Sequence, residues 1–237
     1  MLRRALLIPT LIVLAVSAAA CGGDDPGATS TAAPSGPAID SPEYQAFRSQ
    51  PTACGASAPA PAVAMQFDAP GDAGVAGAVQ VVLHTSCGEV TLELDAAVAP
   101  ETVNSFVFLA RRGYFDGTVA HRVMPGFVFQ AGDPTASGSG NPGYRLPDEF
   151  PAAGFSYVRG TVAMANSGLP ESGGSQFFIA LDDIDLPPSY TVFGRVLEGF
   201  DVLELIAAVP MAPNRGDLIN SRPLETVYLE RVEVLGG

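Results

Sequence analysis

The sequence predicts a mainly β fold, an antiparallel sheet closed into a barrel and capped by two α-helices. Three observations carry that prediction. Glycine and proline supply 26 and 21 of the 237 residues, too many for a helical protein and suited to a turn-rich β fold. From Val79 onward, short alternating or continuous apolar runs recur between turn residues. Only two stretches there keep a helical period, so the strands must cover one another by closing. At 47% apolar, the chain is long enough for one buried core plus extensions.

Residues 1–20 read as a signal peptide. Arg3 and Arg4 precede "ALLIPTLIVLAVSAAA", which is short of the roughly 20 residues of a spanning helix and is interrupted by Pro9. Cys21 follows three alanines and resembles a bacterial lipobox cysteine, the site of diacylation, although Ala18 stands where a larger aliphatic residue is usual. The expected location is therefore extracytoplasmic, lipid-anchored at the cell membrane; plain secretion is the alternative. Residues 21–40 are a flexible tether, too rich in Gly, Pro, Ser, Thr and Ala to bury a core. Residues 41–78 form an N-terminal arm, partly ordered: "SPEYQAFRSQ" suits a short helix, "CGASAPAPA" does not. Export favours a disulfide between Cys54 and Cys87, with two buried thiols as the alternative.

Residues 79–237 form the main domain. "VQVVLHTSCGEVTLELD" reads as two strands and a turn, with Val90, Leu92 and Leu94 alternating with Thr91 and Glu93. "APETVNSFVFLARRGYFDG" reads as a helix: Pro100 suits its first turn, Glu101 its positive end and Gly113 its close. Its inward face is Val103, Phe106, Val107, Ala110 and Tyr114. Further strands are "FVFQAG", "GTVAMAN", "SQFFIAL", "TVFGRV" and "ETVYLERVEVL"; a second helix fits "EGFDVLELIAAV", with Phe200, Leu203 and Ile206 inward.

Charge and motifs exclude several functions. The formal charge is −13 and all twelve cations are arginine, so nucleic acid is not an expected partner. Only His84 and His121 could serve as an imidazole base, and each reads better as structural. No metal-site spacing or phosphate loop occurs, and neither cofactor nor metal is expected. What remains is one arginine beside apolar residues, in "HRVMPGFVFQAGDP", with glutamines and an asparagine. Such a site suits a reaction without nucleophile, base or metal. Rotation about an X–Pro amide is one, with a barrier of about 18–20 kcal/mol. A guanidinium donates hydrogen bonds to the twisted amide without losing its own proton. The bland alternative is that Arg122 pairs a surface acid.

Three blocks then resemble the cyclophilin family: "FDGTVAHRVMPGFVFQAGDP", "GTVAMANSGLPESGGSQFFIAL" and "YTVFGRVLEGFDVL". The resemblance implies a closed eight-stranded antiparallel barrel with two capping helices and peptidyl-prolyl cis-trans isomerase activity. It makes Arg122 the catalytic guanidinium. Phe127, Val128, Phe178 and Leu186 become the proline pocket, Gln130 the residue orienting the arginine, and Ala165, Asn166, Ser167 and Gln176 the rim. Tyr190 takes the place of a frequent histidine. The implied partners are proline-containing segments of exported proteins, met by a monomer that touches membrane only through its lipid. The rival function is a non-catalytic module that holds such segments as a chaperone or scaffold. Ala120 and Ala131 replace a phenylalanine and a glycine of the family pattern, and "LPESGGSQ" is one residue longer. The chain lacks tryptophan, which implies weak cyclosporin inhibition.

Overall fold

The computed structural model describes residues 36–214 and 216–236. The predicted signal peptide, Cys21 and most of the tether lie outside them.

The strands β1 (Ala78–Thr85) and β2 (Gly88–Asp95) form a hairpin, and the alternation in β2 buries Val90, Leu92 and Leu94. Helix α2 (Pro100–Arg111) follows, then β3 (Thr118–Val119), β4 (Arg122–Met124), β5 (Val128–Ala131), β6 (Thr161–Met164), β7 (Phe177–Ala180) and β8 (Val192–Glu198). Helix α3 (Phe200–Ala207), the short pair β9 (Met211–Ala212) and β10 (Arg222–Pro223), and β11 (Tyr228–Val234) complete the domain. Helix α2 has Pro100 in its first turn as expected, whereas α3 starts at Phe200, two residues later than expected, because Glu198 still belongs to β8. The exposed start of α2 is capped in a way the local sequence does not announce: the Glu149 carboxylate accepts the N–H groups of Glu101 and Thr102 at 3.0 and 2.9 Å.

The predicted closed eight-stranded barrel is corrected. Nine strands form one antiparallel sheet in the order β3-β11-β1-β2-β8-β6-β7-β5-β4, curled into a half-barrel. Its edges, β3 and β4, are successive pieces of one stretch interrupted at Ala120 and His121. No ladder joins them, and the backbone donors of this stretch reach distant segments instead. The Ala120 N–H reaches the Val227 carbonyl at 2.9 Å and the Val123 N–H reaches the Ser221 carbonyl at 2.8 Å.

There are three helices rather than two among the described residues, because the arm contributes α1 (Pro42–Arg48). Ser41 caps it and Pro42 opens it. Tyr44 and Phe47 of α1 bury against Val119 and Tyr228. The Tyr44 hydroxyl donates to the Gly117 carbonyl at 2.8 Å and accepts from the Ala62 N–H at 2.7 Å. Cys54 and Cys87 are bonded, fastening the arm to the β1–β2 turn. The main core lies inside the curl, where Phe106 stacks on Phe115, meets Phe177 edge to face and lies tilted against Phe193.

Candidate active site

The curled sheet is apolar on both faces around β4 to β7, and strand alternation sorts the two. Val123, Phe129, Ala131, Val162, Met164, Phe177 and Ile179 enter the core. Their neighbours Arg122, Val128, Gln130, Ala163, Phe178 and Ala180 therefore face the other way. Register then sets Arg122 opposite Gln130, Gln130 opposite Phe178, and Phe178 opposite Ala163. One transverse row thus runs from a guanidinium through an amide to an aromatic ring.

Around Phe178 lies a separate apolar cluster with Val128, Tyr157, Ala163, Ala180 and Ile184, edged by half-buried Phe127, Ala165, Leu186 and Tyr190. Phe178 and Tyr190 meet edge to face with ring centroids 5.5 Å apart. The Arg122 guanidinium carbon sits 5.8 Å from the Phe127 ring centroid, at the lip of this pocket. A polar relay continues from it. Arg122 Nη1 donates to Gln130 Oε1 at 3.2 Å, Gln130 Nε2 to Gln176 Oε1 at 3.1 Å, and Gln176 Nε2 to the Gly140 carbonyl at 3.0 Å. Asn166 Nδ2 donates to the Ser189 carbonyl at 2.8 Å. A groove of about 310 Å³ follows the relay, lined by Gln130, Gln176, Ala165, Asn166, Ser167 and Arg145, among others. All eleven residues expected at the site therefore lie along one surface of pocket and groove.

A model of the cyclophilin type peptidyl-prolyl cis-trans isomerase/CLD family matches residues 80–234. The chain belongs to the cyclophilin family. This cyclophilin is 42% identical over 149 residues to a probable peptidyl-prolyl cis-trans isomerase B of Mycobacterium tuberculosis, covering 56% of the chain and 48% of the relative. The chain thus spans about half the length of that relative. It is 38% identical over 160 residues to a peptidyl-prolyl cis-trans isomerase of Arabidopsis thaliana, covering 66% of the chain and 96% of the relative. A Cryptosporidium parvum cyclophilin type isomerase, solved in the presence of the dipeptide Ala-Pro, superposes with a TM-score of 0.60 at 28% identity, covering 67% of this chain and 99% of that one.

Two residues of this cyclophilin's site escape sequence reasoning. Tyr157 sits on an irregular segment and is 1% exposed. Its hydroxyl meets the carbonyls of Pro187 and Tyr190 at 3.3 and 3.1 Å and accepts from the Tyr190 N–H at 3.3 Å, setting the loop that presents Leu186 and Tyr190. Burial pushes its phenol pKa up. The second is Asp217. Arg122 Nε donates to both Asp217 carboxylate oxygens, at 3.1 and 2.9 Å, and Nη2 donates to Oδ1 at 2.8 Å. The arginine does pair an acid, but that acid is only 12% exposed and belongs to the site. Burial pushes the Asp217 carboxyl up, yet hydrogen bonds from Arg122 and Ser221 outweigh it and hold the group below its ordinary value.

His121 is 6% exposed, and its Nδ1 has no partner among the described residues. Desolvation lowers its pKa; the nearby Asp133 charge opposes this and Arg122 adds to it. Asp133 accepts from the Thr135 N–H and hydroxyl, both at 2.7 Å, and from the Gly140 N–H at 3.1 Å, which shapes the loop that receives Gln176. A side chain at Gly140 would place its Cβ 1.9 Å from the Asp133 carboxylate, so this position requires glycine.

Proposed function

We propose that this chain is a peptidyl-prolyl cis-trans isomerase that accelerates rotation about X–Pro bonds in exported polypeptides. The row Arg122, Gln130, Phe178 across three adjacent strands is the observation that carries the reading. The apolar pocket around Phe178 would take the pyrrolidine ring, leaving the preceding carbonyl to turn. Rotation breaks amide conjugation, and the proline nitrogen becomes a better acceptor. Arg122 has five N–H donors. Asp217 engages Nε–H and one on Nη2, and Gln130 engages one on Nη1, which among the described residues leaves a donor on each terminal nitrogen. Those donors favour the twisted amide over the planar one, and each tenfold gain in rate needs about 1.4 kcal/mol of such preference. The Asn166 and Gln176 rim would align the substrate backbone.

Proline-limited refolding of a reporter protein, with wild type and Arg122→Ala, tests this. The wild type should accelerate the slow phase, and the variant should lose most of that acceleration. Equal acceleration by both would favour the rival reading, a module that holds proline-containing segments without catalysis. That rival draws on the same pocket and on the engagement of Arg122 by Asp217.

Export and anchoring belong to the same proposal. The Cys54–Cys87 disulfide supports an oxidising compartment, and the sequence supports lipidation at Cys21. Cys21→Ser should release the protein from the membrane fraction; unchanged fractionation would refute the anchor.

A further inference from the structure

We propose that Asp217 is a positioning residue for Arg122, one that aims the guanidinium so that its terminal N–H groups face the pocket. This rests on the isomerase reading. An arginine side chain has many rotamers, and one at the lip of a pocket, 23% exposed, would sample several of them in water. Here a carboxylate takes the Nε and Nη2 edge with three N–H···O contacts between 2.8 and 3.1 Å. A planar fork gripped along one edge has its remaining donors fixed in direction.

The carboxylate is itself held. The Ser221 hydroxyl donates to Asp217 Oδ2, and the Asp217 N–H donates to the Asn214 carbonyl at 3.2 Å. The loop that carries it is tied to the arginine's own strand, because the Val123 N–H donates to the Ser221 carbonyl at 2.8 Å. Its stem is closed by the Ser221 N–H on the Ala212 carbonyl at 3.0 Å, in the β9–β10 pair. The grip and the strand presenting Arg122 therefore form one hydrogen-bonded unit. Gln130 fixes the guanidinium from the opposite side through Nη1. The competing idea, that Asp217 quenches the arginine, requires it to occupy the donors meant for substrate. It occupies the side edge instead.

The test measures kcat and KM on an Ala-Pro-containing tetrapeptide for wild type, Asp217→Asn, Asp217→Glu and Ser221→Ala, with Asp217→Asn repeated in an Arg122→Lys background. Asp217→Asn should lower kcat/KM about tenfold, equivalent to about 1.4 kcal/mol, with the loss in kcat and KM within about twofold. Asp217→Glu should recover part of it. In the Arg122→Lys background Asp217→Asn should change nothing further, a coupling that general destabilisation would not produce. Ser221→Ala keeps both charges and should cause a smaller fall in kcat, which carries the test if Asp217→Asn fails to fold. An active wild type with unchanged or faster Asp217→Asn and Ser221→Ala variants would overturn the positioning role alone. A wild type that does not accelerate isomerisation would overturn it together with the isomerase reading.

Discussion

Removing the Cys54–Cys87 bond, by replacing both cysteines with serine, should lower stability far more than activity. The bond closes a loop with a sequence separation of 33. Chain-entropy arithmetic for that length gives roughly 3.7 kcal/mol of lost denatured-state freedom at 25 °C. At about 2–4 °C per kcal/mol for a domain of this size, the midpoint should fall by roughly 7–15 °C. The arm should nevertheless stay docked in the folded state. Tyr44 is fully buried with its hydroxyl bonded on both sides, and the Thr226 hydroxyl donates to the Phe47 carbonyl at 2.6 Å. Among the described residues, none of the arm donates to or accepts from the Arg122 side chain. So kcat/KM measured well below the new midpoint should stay within about twofold of wild type. Thermal unfolding by circular dichroism and the tetrapeptide assay read the two quantities separately. A midpoint shift under about 2 °C would refute the loop-entropy argument. A parallel collapse of kcat/KM would refute the continued docking of the arm, whose Glu43, Ala46 and Phe47 line a cavity together with Arg122 and Gln130.

Other outcomes follow from single contacts. Tyr157→Phe should cost about 1 kcal/mol of stability and raise KM a few-fold, since the loop carrying Leu186 and Tyr190 loses its anchor; denaturant titration and peptide kinetics check both. Gly140→Ala should destabilise by about 1–3 kcal/mol through its clash with Asp133, and should lower kcat/KM by disturbing the carbonyl that receives Gln176. The lowered His121 pKa means the unfolded chain takes a proton before the native one does. Stability should thus be full above about pH 6.5 and decline as pH falls below it, a slope that His121→Asn should reduce in urea titrations at several pH values. Asp217, also lowered, contributes stability above about pH 4 that fades as acid protonates it, and Asp217→Asn should flatten that acid limb.

Much of the fold was legible because alternation is a local signal. Val90, Leu92 and Leu94 announce a strand with one buried face, and all three are fully buried. Continuous runs such as "SQFFIAL" announce strands buried on both faces, as β7 is. Closure was not legible. The edge stretch is tied by long-range bonds: the N–H groups of Ala120 and Val123 go to Val227 and Ser221, about a hundred residues away. Chain patterning carries no record of such long-range backbone choices. The α1 helix was ambiguous for a related reason, since its seven residues are too few to hold a period without Val119 and Tyr228 to pack on.

The site divides along the same line. Arg122, Phe127, Val128, Gln130, Gln176 and Phe178 stand in motif blocks, and their roles are suggested by strands whose period is visible. Tyr157 and Asp217 stand on irregular segments where no period exists, and their partners are 33 and 95 residues distant. What they supply is orientation: one sets the wall of the pocket, the other the edge of the guanidinium. Orientation is a property of three-dimensional neighbours, so loop residues can impose it from anywhere in the chain. An arginine next to core-like residues is explained by β5 and β7 facing two ways, Phe129 and Phe177 to the core, Val128 and Phe178 to the pocket. The cation stands at the rim of a second apolar basin that shares its backbone with the first. The strands that line the pocket are thus packed from behind by the core, and a wall held by close packing is what the proposed preference for a twisted over a planar amide would use.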